Sequence, residues 1–387
     1  MDIEVARGEL SRWRVVDPGS PPLAGGEARL RIDRFGFSSN NVTYAVIGDM
    51  LHYWEAFPPS TGGPGDDTAW GRVPAWGFAE VVETRSPDVA VGERLFGFLP
   101  MSTELVIIPG RATDAAVADT SPHRSALAGP YSTYRRCATD LVYRAGAEEL
   151  QMLLYPLFVT SFVIDDFVAD HDDFAADQAV ISSASAKTAL GAAFLLHARG
   201  VRTVGLTSTG NADFCRSLGV YDEVVTYDAT GLLARSPSLF IDVSGNQSVV
   251  GSVHRLFGDD LTHSMIVGDT HWDSAPAPDQ GTLPGPPPAF LFAPNQITRR
   301  SREWGADVFN TTLAGAWSRF ADWVTGWLVL ERVAGPDAVI DVFRTYLSGR
   351  IDPRVGVVCT LATAEPFEMT FPTDHPPALR ASRKETA

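Results

Sequence analysis

The feature that most limits the fold of this chain is the stretch from Ala179 to Ser208, where the hydrophobic period changes from strand to helix and back. Ala179-Val-Ile is a short apolar run and reads as a buried strand. Ser182-Ser-Ala-Ser-Ala186 is a turn of small residues, after which Ala189, Ala193 and Leu196 recur at helical spacing up to Gly200. Val201-Arg-Thr-Val-Gly-Leu-Thr-Ser208 is a second strand. Strand, turn, helix and strand within about 30 residues make a βαβ unit, which crosses over right-handedly into a parallel sheet. The turn is therefore where a dinucleotide would sit. A dinucleotide-binding turn needs three small residues spaced about three apart, and these places fall on Ser183, Ala186 and Ala189. None is glycine, and a Cβ penalises any position that needs a positive φ. Two readings follow: a turn that still accepts a dinucleotide, and a bare α/β crossover that binds nothing.

The pattern repeats downstream. A helix over Ala212 to Leu218 and strands at Glu223–Thr226, Ser238–Ser244 and Ser264–Gly268 give a doubly wound α/β domain with a parallel sheet. The Pro/Gly-dense run Ser274 to Pro288 reads as a long loop, Phe290-Leu-Phe292 as another strand, and Leu313 to Ala334 and Pro336 to Ser348 as helices. Upstream, alternating segments such as Glu27 to Phe35, Val73 to Glu83, Glu93 to Leu99 and Thr103 to Ile108 form a β-rich first domain. An irregular Tyr/Arg-rich insert covers about 114–149, and a helix follows from Glu148 to about Asp170 with a break expected near Pro156. The expected division is 1–155, 156–295, and a return segment 296–387 that completes both domains.

The formal net charge of −16 excludes a protein that binds nucleic acid through a basic face. Cys137, Cys215 and Cys359 are scattered, without CxxC spacing, which fits a reducing cytoplasm. No run of about 18 apolar residues suggests a membrane span, and the N-terminus has no signal-peptide pattern.

Several strings resemble, in order, those of the medium-chain dehydrogenase/reductase superfamily. Gly36-Phe-Ser-Ser-Asn-Asn resembles the loop carrying the first active-site residues, and Ala79-Glu-Val-Val-Glu and Val91-Gly-Glu-Arg-Leu-Phe-Gly-Phe resemble two of its strands. Tyr155-Pro-Leu-Phe-Val-Thr-Ser, Ile241-Asp-Val-Ser-Gly and Ser348-Gly-Arg-Ile-Asp-Pro resemble later segments. Asn40 to Asp49, Trp76-Gly-Phe-Ala and Ser182 to Ala189 are similar to a divergent, functionally unassigned branch. The resemblance implies a GroES-like β-rich domain followed by a Rossmann-type domain. It also implies hydride transfer between a nicotinamide cofactor and a small molecule in the cleft between domains.

Aligned on that superfamily, Ser38, Trp76 and Gly77 stand where zinc-dependent members place ligands. Neither serine nor tryptophan supplies the thiolate and imidazole that zinc needs, so the expectation is a zinc-free quinone- or enoyl-reductase type with no metal site. Asn40, Asn41, Tyr44 and Tyr53 are the candidate polar groups of the substrate loop, and the resemblance to zinc-free enoyl reductases, where a tyrosine just after the loop helix assists proton delivery, implies Tyr53 as the leading proton donor. His271, in Gly268-Asp-Thr-His-Trp272, is a further candidate, and Tyr131 and Tyr134 are candidate caps of the cleft. For the cofactor, Ser183, Ala186, Lys187 and Thr188 lie at the turn, with Ser244 after a neighbouring strand. Thr207, Ser208 and Thr209 end the second strand without a carboxylate, which favours NADP(H) over NAD(H). The leading expectation is a cytoplasmic, homodimeric NADP(H)-dependent reductase of an activated C=C or carbonyl group. The other is a protein of the same fold that has lost its cofactor and serves as a binding or scaffold protein. Neither nucleic acid nor membrane is an expected partner.

Overall fold

The computed structural model describes residues 1–60, 69–267, 283–349 and 351–362. They fall into two units, Met1–Pro156 with the return segment from Leu330, and Leu157–Val329.

In the first unit, β1 (Asp2–Ala6) pairs antiparallel with β2 (Glu9–Val16), and β3 (Ala28–Phe37) leads into the helices α1 (Ser39–Val46) and α2 (Tyr53–Ala56). Then come β4 (Trp70–Gly71), β5 (Pro74–Thr84), β6 (Arg94–Pro100), β7 (Glu104–Ile107), β8 (Pro109–Gly110), β9 (Ala116–Asp119) and β10 (Thr133–Arg136). The last two build order into the segment that reads as irregular. β3, β5 and β6 carry Phe35, Phe37, Phe78, Phe96 and Phe98, all fully buried, and β6 is buried at every position after Arg94. Gly97 on β6 is required by its neighbour: a Cβ there would stand 2.4 Å from the Tyr134 ring.

The helix α3 (Glu148–Asp170) continues through Pro156, where the sequence suggests a break, and the division between units falls there. Proline deprives the carbonyl four residues earlier, that of Met152, of its helical donor. That carbonyl faces Gly36, where a Cβ would lie 2.9 Å from the oxygen. The start of α3 is clamped by arginines: Arg94 holds Glu148 through bonds of 2.6 Å, and Arg332 holds Glu149 through bonds of 2.7 Å. By length and composition the segment Ala145–Asp170 could cross a membrane, but 56% of its most apolar window is buried inside the protein, as in a core helix.

The second unit is a six-stranded sheet built from β11 (Gln178–Ile181), α4 (Lys187–Arg199), β12 (Arg202–Thr207), α5 (Ala212–Ser217), β13 (Glu223–Thr226), β14 (Ser238–Asp242), α6 (Gln247–Phe257), β15 (Leu261–Ile266) and β16 (Ala289–Phe290). Strand order is β13-β12-β11-β14-β15-β16, with every pair parallel. The order reverses between β11 and β14, the place where open α/β sheets bind ligands. Val180, Val204, Leu206 and Phe240 form the core with Val253 and Phe257 of α6. Of Phe290-Leu-Phe292, only Phe290 is in the ladder.

Two helices, α7 (Ala293–Trp304) and α8 (Ala306–Val324), then precede β17 (Val329–Ala334), α9 (Pro336–Leu347) and β18 (Val355–Thr360). The single helix expected from Leu313 to Ala334 therefore ends at Val324. Its last third is a strand, because β18 is available to pair with it in the order β17-β18-β3. Tertiary pairing here outweighs local propensity.

Candidate functional site

Two places gather polar groups for chemistry, one in each unit. In the first, α1 is fastened at its start by Asn41, whose Oδ1 accepts from the Ser38 backbone N–H at 2.7 Å and whose Nδ2 donates to the Pro74 carbonyl at 2.8 Å. Asn41 is buried and committed to holding the loop on β5. One turn later α1 presents Tyr44 inward. Its hydroxyl oxygen accepts from Asn40 Nδ2 at 2.6 Å and from the Trp76 indole N–H at 3.0 Å. Around Tyr44 stand Tyr53, Phe98 and Tyr131, with ring centroids 4.8, 5.1 and 6.3 Å away and mostly edge-on, as ring quadrupoles prefer.

Tyr53 is also buried. Its ring stands 5.2 Å from that of Tyr131, and desolvation, reinforced by the two neighbouring phenols, holds its pKa far above that of a free tyrosine. Burial likewise raises the pKa of Tyr44, while the bonds from Trp76 and Asn40 work in the opposite sense. All three phenols are therefore protonated at neutral pH. Tyr131 is half-buried and covers the group. Its backbone carbonyl accepts from Arg124 at 2.5 Å, and Arg124 is itself buried, paired with Asp119 at 3.1 Å and bonded to the Tyr134 hydroxyl at 2.8 Å. Tyr134, a candidate cap from the sequence, is instead a buried brace whose hydroxyl donates to the Phe98 carbonyl. His52 lies at the edge, exposed and bonded to Glu55 at 2.7 Å.

Sequence reasoning singled out Asn40, Asn41, Tyr44 and Tyr53 but not the roles of Trp76, Phe98 and Arg124. Trp76 drew notice as part of a family-like string and as a residue standing where zinc-dependent members place a ligand. Its indole donates to the Tyr44 hydroxyl at 3.0 Å, and the Ser38 hydroxyl donates to Asn41 Oδ1 at 3.3 Å. Among the described residues no three His, Cys, Asp or Glu side chains gather as a metal would require.

In the second unit the turn after β11 is shaped as a glycine turn would be. Ser183 takes φ 49°, the left-handed conformation that disfavours a Cβ. Its N–H donates to the Tyr227 hydroxyl at 3.0 Å, and the next residue is tied to β12 through Ala184 N–H to the Leu206 carbonyl at 3.0 Å. The glycine absent from the turn has a counterpart on the adjacent strand, for a Cβ on Gly205 would lie 2.9 Å from that of Ala184. Ala186 begins α4 without any side-chain cap, so the start of a 13-residue helix presents backbone N–H groups, with Lys187 and Thr188 half-exposed at its first two positions.

At the reversal point Ser182 donates to Asp242 at 2.6 Å and accepts from the N–H groups of Val243 and Ser244, while the Ser244 hydroxyl donates to Asp242 at 2.7 Å. Ser244 is buried and locks the two strand ends rather than facing outward. Desolvation raises the Asp242 pKa despite these donors. Thr207 is buried, whereas Ser208 and Thr209 are exposed at the end of β12. These residues fit a dinucleotide: small side chains and helix N–H groups suit a pyrophosphate, and Ser208 and Thr209 suit a ribose. His271 lies outside the described residues.

Comparison with solved structures places the fold. The chain is similar to CurA from Vibrio vulnificus in complex with NADPH (14% identity, covering 92% of this chain and 95% of that one, TM-score 0.56). A mutant enoyl thioester reductase from Candida tropicalis gives 8%, 93%, 98% and 0.54 for the same quantities. For a putative NADPH:quinone reductase from Mesorhizobium loti they are 13%, 87%, 88% and 0.52. The architecture is that of the medium-chain dehydrogenase/reductases, a GroES-like β-rich domain joined to a Rossmann-type domain. Over residues 35–352 the chain matches the family described as a protein of unknown function, DUF2855, and it belongs to that family. No curated protein matches it by sequence.

Proposed function

We propose that this chain is a zinc-free, NADP(H)-dependent oxidoreductase that reduces an activated C=C or carbonyl group of a small molecule. The observation that carries the reading is the turn at Ser183–Thr188: a serine held at positive φ, an uncapped helix start and a lysine at its first position, all at the strand-order reversal of a parallel sheet. That arrangement suits an anion. The similar CurA structure contains NADPH, which supports the same cofactor here. A reduced nicotinamide, when bound, supplies the hydride. The chain's own part is to hold the pyrophosphate on the α4 N–H groups and Lys187, to receive the ribose at Ser208 and Thr209, and to present buried, protonated phenols as hydrogen-bond donors to substrate oxygen. Without a metal, such donors are what stabilises the charge that develops on that oxygen.

One observation favours the second reading, a fold that has lost its cofactor: the Tyr227 hydroxyl already takes the Ser183 N–H. Thermal unfolding with NADPH and NADH separates the two. At about 100 times the dissociation constant a ligand stabilises by roughly 2.7 kcal/mol, and no shift with either nucleotide, reduced or oxidised, sinks the reductase reading. We also infer a cytoplasmic homodimer. The edge strand β16 ends the six-stranded sheet with Phe290 exposed and stacked on Phe292 at 6.3 Å, a surface suited to edge pairing. A monomeric mass by light scattering at micromolar concentration would count against the dimer.

A further inference from the structure

The turn after β11 stands directly on a buried carboxylate. Asp242 ends β14 at the strand-order reversal with 2% of its surface exposed, and Ser182, the residue before the positive-φ Ser183, donates its hydroxyl to Asp242 Oδ1 at 2.6 Å. The Ser244 N–H and hydroxyl end on the same oxygen at 3.0 and 2.7 Å. All three donors are neutral and all three meet Oδ1, so a proton on Oδ2 displaces none of them. No Lys, Arg or His among the described residues pairs with this carboxylate. The groups that face Asp242 from other elements are Ser182 on β11, the Tyr227 phenol after β13, and on the β15 side Ile266 with the Val267 N–H, which donates to the Asp242 carbonyl at 2.8 Å. Of these only Tyr227 titrates, and burial raises its pKa so that it stays uncharged. Lys187, at the first position of α4, is the one charged side chain on the turn itself. A buried charge with no counter-charge is costly, and a phosphate anion arriving at the adjacent turn adds a like charge.

We propose that Asp242 takes up a proton when a nicotinamide dinucleotide binds at the Ser183–Thr188 turn, so that nucleotide affinity is coupled to pH. The coupling rests on the reductase reading for the presence of the nucleotide. Its sign follows from the surroundings. Burial already holds the Asp242 pKa above the ordinary carboxylate value, while the Ser182 and Ser244 donors and the Gly245 N–H pull it back. A pyrophosphate carries charge of the same sign, so binding raises the pKa further, and between the two values the bound state holds more proton than the free one. Affinity therefore rises as pH falls through that window and is flat on either side of it. The step is a proton transfer from the buffer to Oδ2, with no other bond made or broken. By linkage the proton and the nucleotide promote each other's binding by the same factor.

Calorimetric titration of NADP⁺ into the full chain, in buffers of different ionisation enthalpy from about pH 8 to about pH 5, counts the protons taken up per nucleotide. The parent is expected to take up as much as about one proton more than Asp242→Asn, and its affinity to rise by up to about tenfold per pH unit inside the window. Subtracting the variant cancels the titration of the 2′-phosphate itself. Asp242→Asn keeps an oxygen for Ser182 and Ser244 but carries no charge, so it is expected to bind roughly tenfold tighter than the parent at about pH 8 and to show a flatter profile. Ser244→Ala removes a donor to the charged form and should move the window to higher pH. An infrared difference spectrum should show a protonated-carboxyl band that appears with nucleotide in the parent and is missing in Asp242→Asn. Thermal melts verify folding, and if Asp242→Asn does not fold, an unmoved window in Ser244→Ala overturns the assignment. Equal proton uptake by the parent and folded Asp242→Asn, or a parent affinity that does not rise on acidification, also overturns it and leaves the reductase reading standing. No binding of any nicotinamide nucleotide at any pH removes both.

Discussion

Replacing Arg124 by methionine should destabilise the protein by about 4 kcal/mol, and the figure follows from what the guanidinium touches. Its side chain is 1% exposed, as is that of Asp119, its partner at 3.1 Å. Breaking a buried pair by removing one member costs roughly 3–5 kcal/mol, since the remaining charge stays buried. Asp119 keeps three donors on its other oxygen: the N–H groups of Ile108 and Ser121 at 3.1 and 3.0 Å and the Ser121 hydroxyl at 2.6 Å. These hold the loss toward the lower half of that range. The Tyr131 carbonyl, bonded to Arg124 at 2.5 Å, adds about 1 kcal/mol when its donor goes. Methionine retains an apolar stem in the position where the guanidinium lies 4.7 Å from the Phe57 ring centre, so little packing is lost. Against a total stability of roughly 5–15 kcal/mol, the variant should show a greatly lowered urea midpoint by circular dichroism. Asp119→Asn in the Arg124→Met background should recover part of the loss, because the pair is coupled. A single variant that unfolds within about 1 kcal/mol of the parent would refute the reasoning.

Lys187→Ala should weaken NADPH binding roughly 10- to 100-fold in a fluorescence titration at low salt, the scale of a charged hydrogen bond; unchanged affinity would remove Lys187 from the phosphate site. The thiols of Cys137 and Cys215 are pushed up to about 12 and about 11 by burial, and Cys359 is raised by the same cause. Native protein at pH 8 should therefore resist iodoacetamide while urea-unfolded protein takes three labels, as mass spectrometry would count; rapid native labelling contradicts this. Burial and neighbouring His171 lower the His263 pKa, so the folded state favours the neutral ring and the unfolded state binds the extra proton. Stability should consequently fall as pH drops below about 6.5, and His263→Phe should flatten that part of the curve in denaturant melts; a variant with the parent's slope would exclude His263 as the cause.

Much of the second unit was legible locally. The strands found at Gln178–Ile181, Arg202–Thr207 and Glu223–Thr226 and the helix between the first two lie where apolar period and turn composition put them. Their signal is short-range, since a buried parallel strand is an apolar run whatever its partner. The first unit was less transparent at its site. Tyr44 and Tyr53 stood out as polar aromatics on one loop, but Trp76 comes from β5, Phe98 from β6 and Tyr131 from the insert. Nothing in the spacing of 44, 76, 98 and 131 indicates that they meet.

The amino-acid sequence alone therefore determined the two-domain class, the parallel sheet and the small-residue turn, because each is set by periodicity and by the steric demands of neighbours in the chain. It could not decide that Ser183 would accept a positive φ, that Gly205 on the next strand would make room for Ala184, or that Val329–Ala334 would leave a helix for a strand. Nor could it assign the Tyr44 hydroxyl two donors. Those outcomes depend on pairings between segments tens to hundreds of residues apart, where the competing terms are buried hydrogen bonds and close packing, and only the folded chain brings them together.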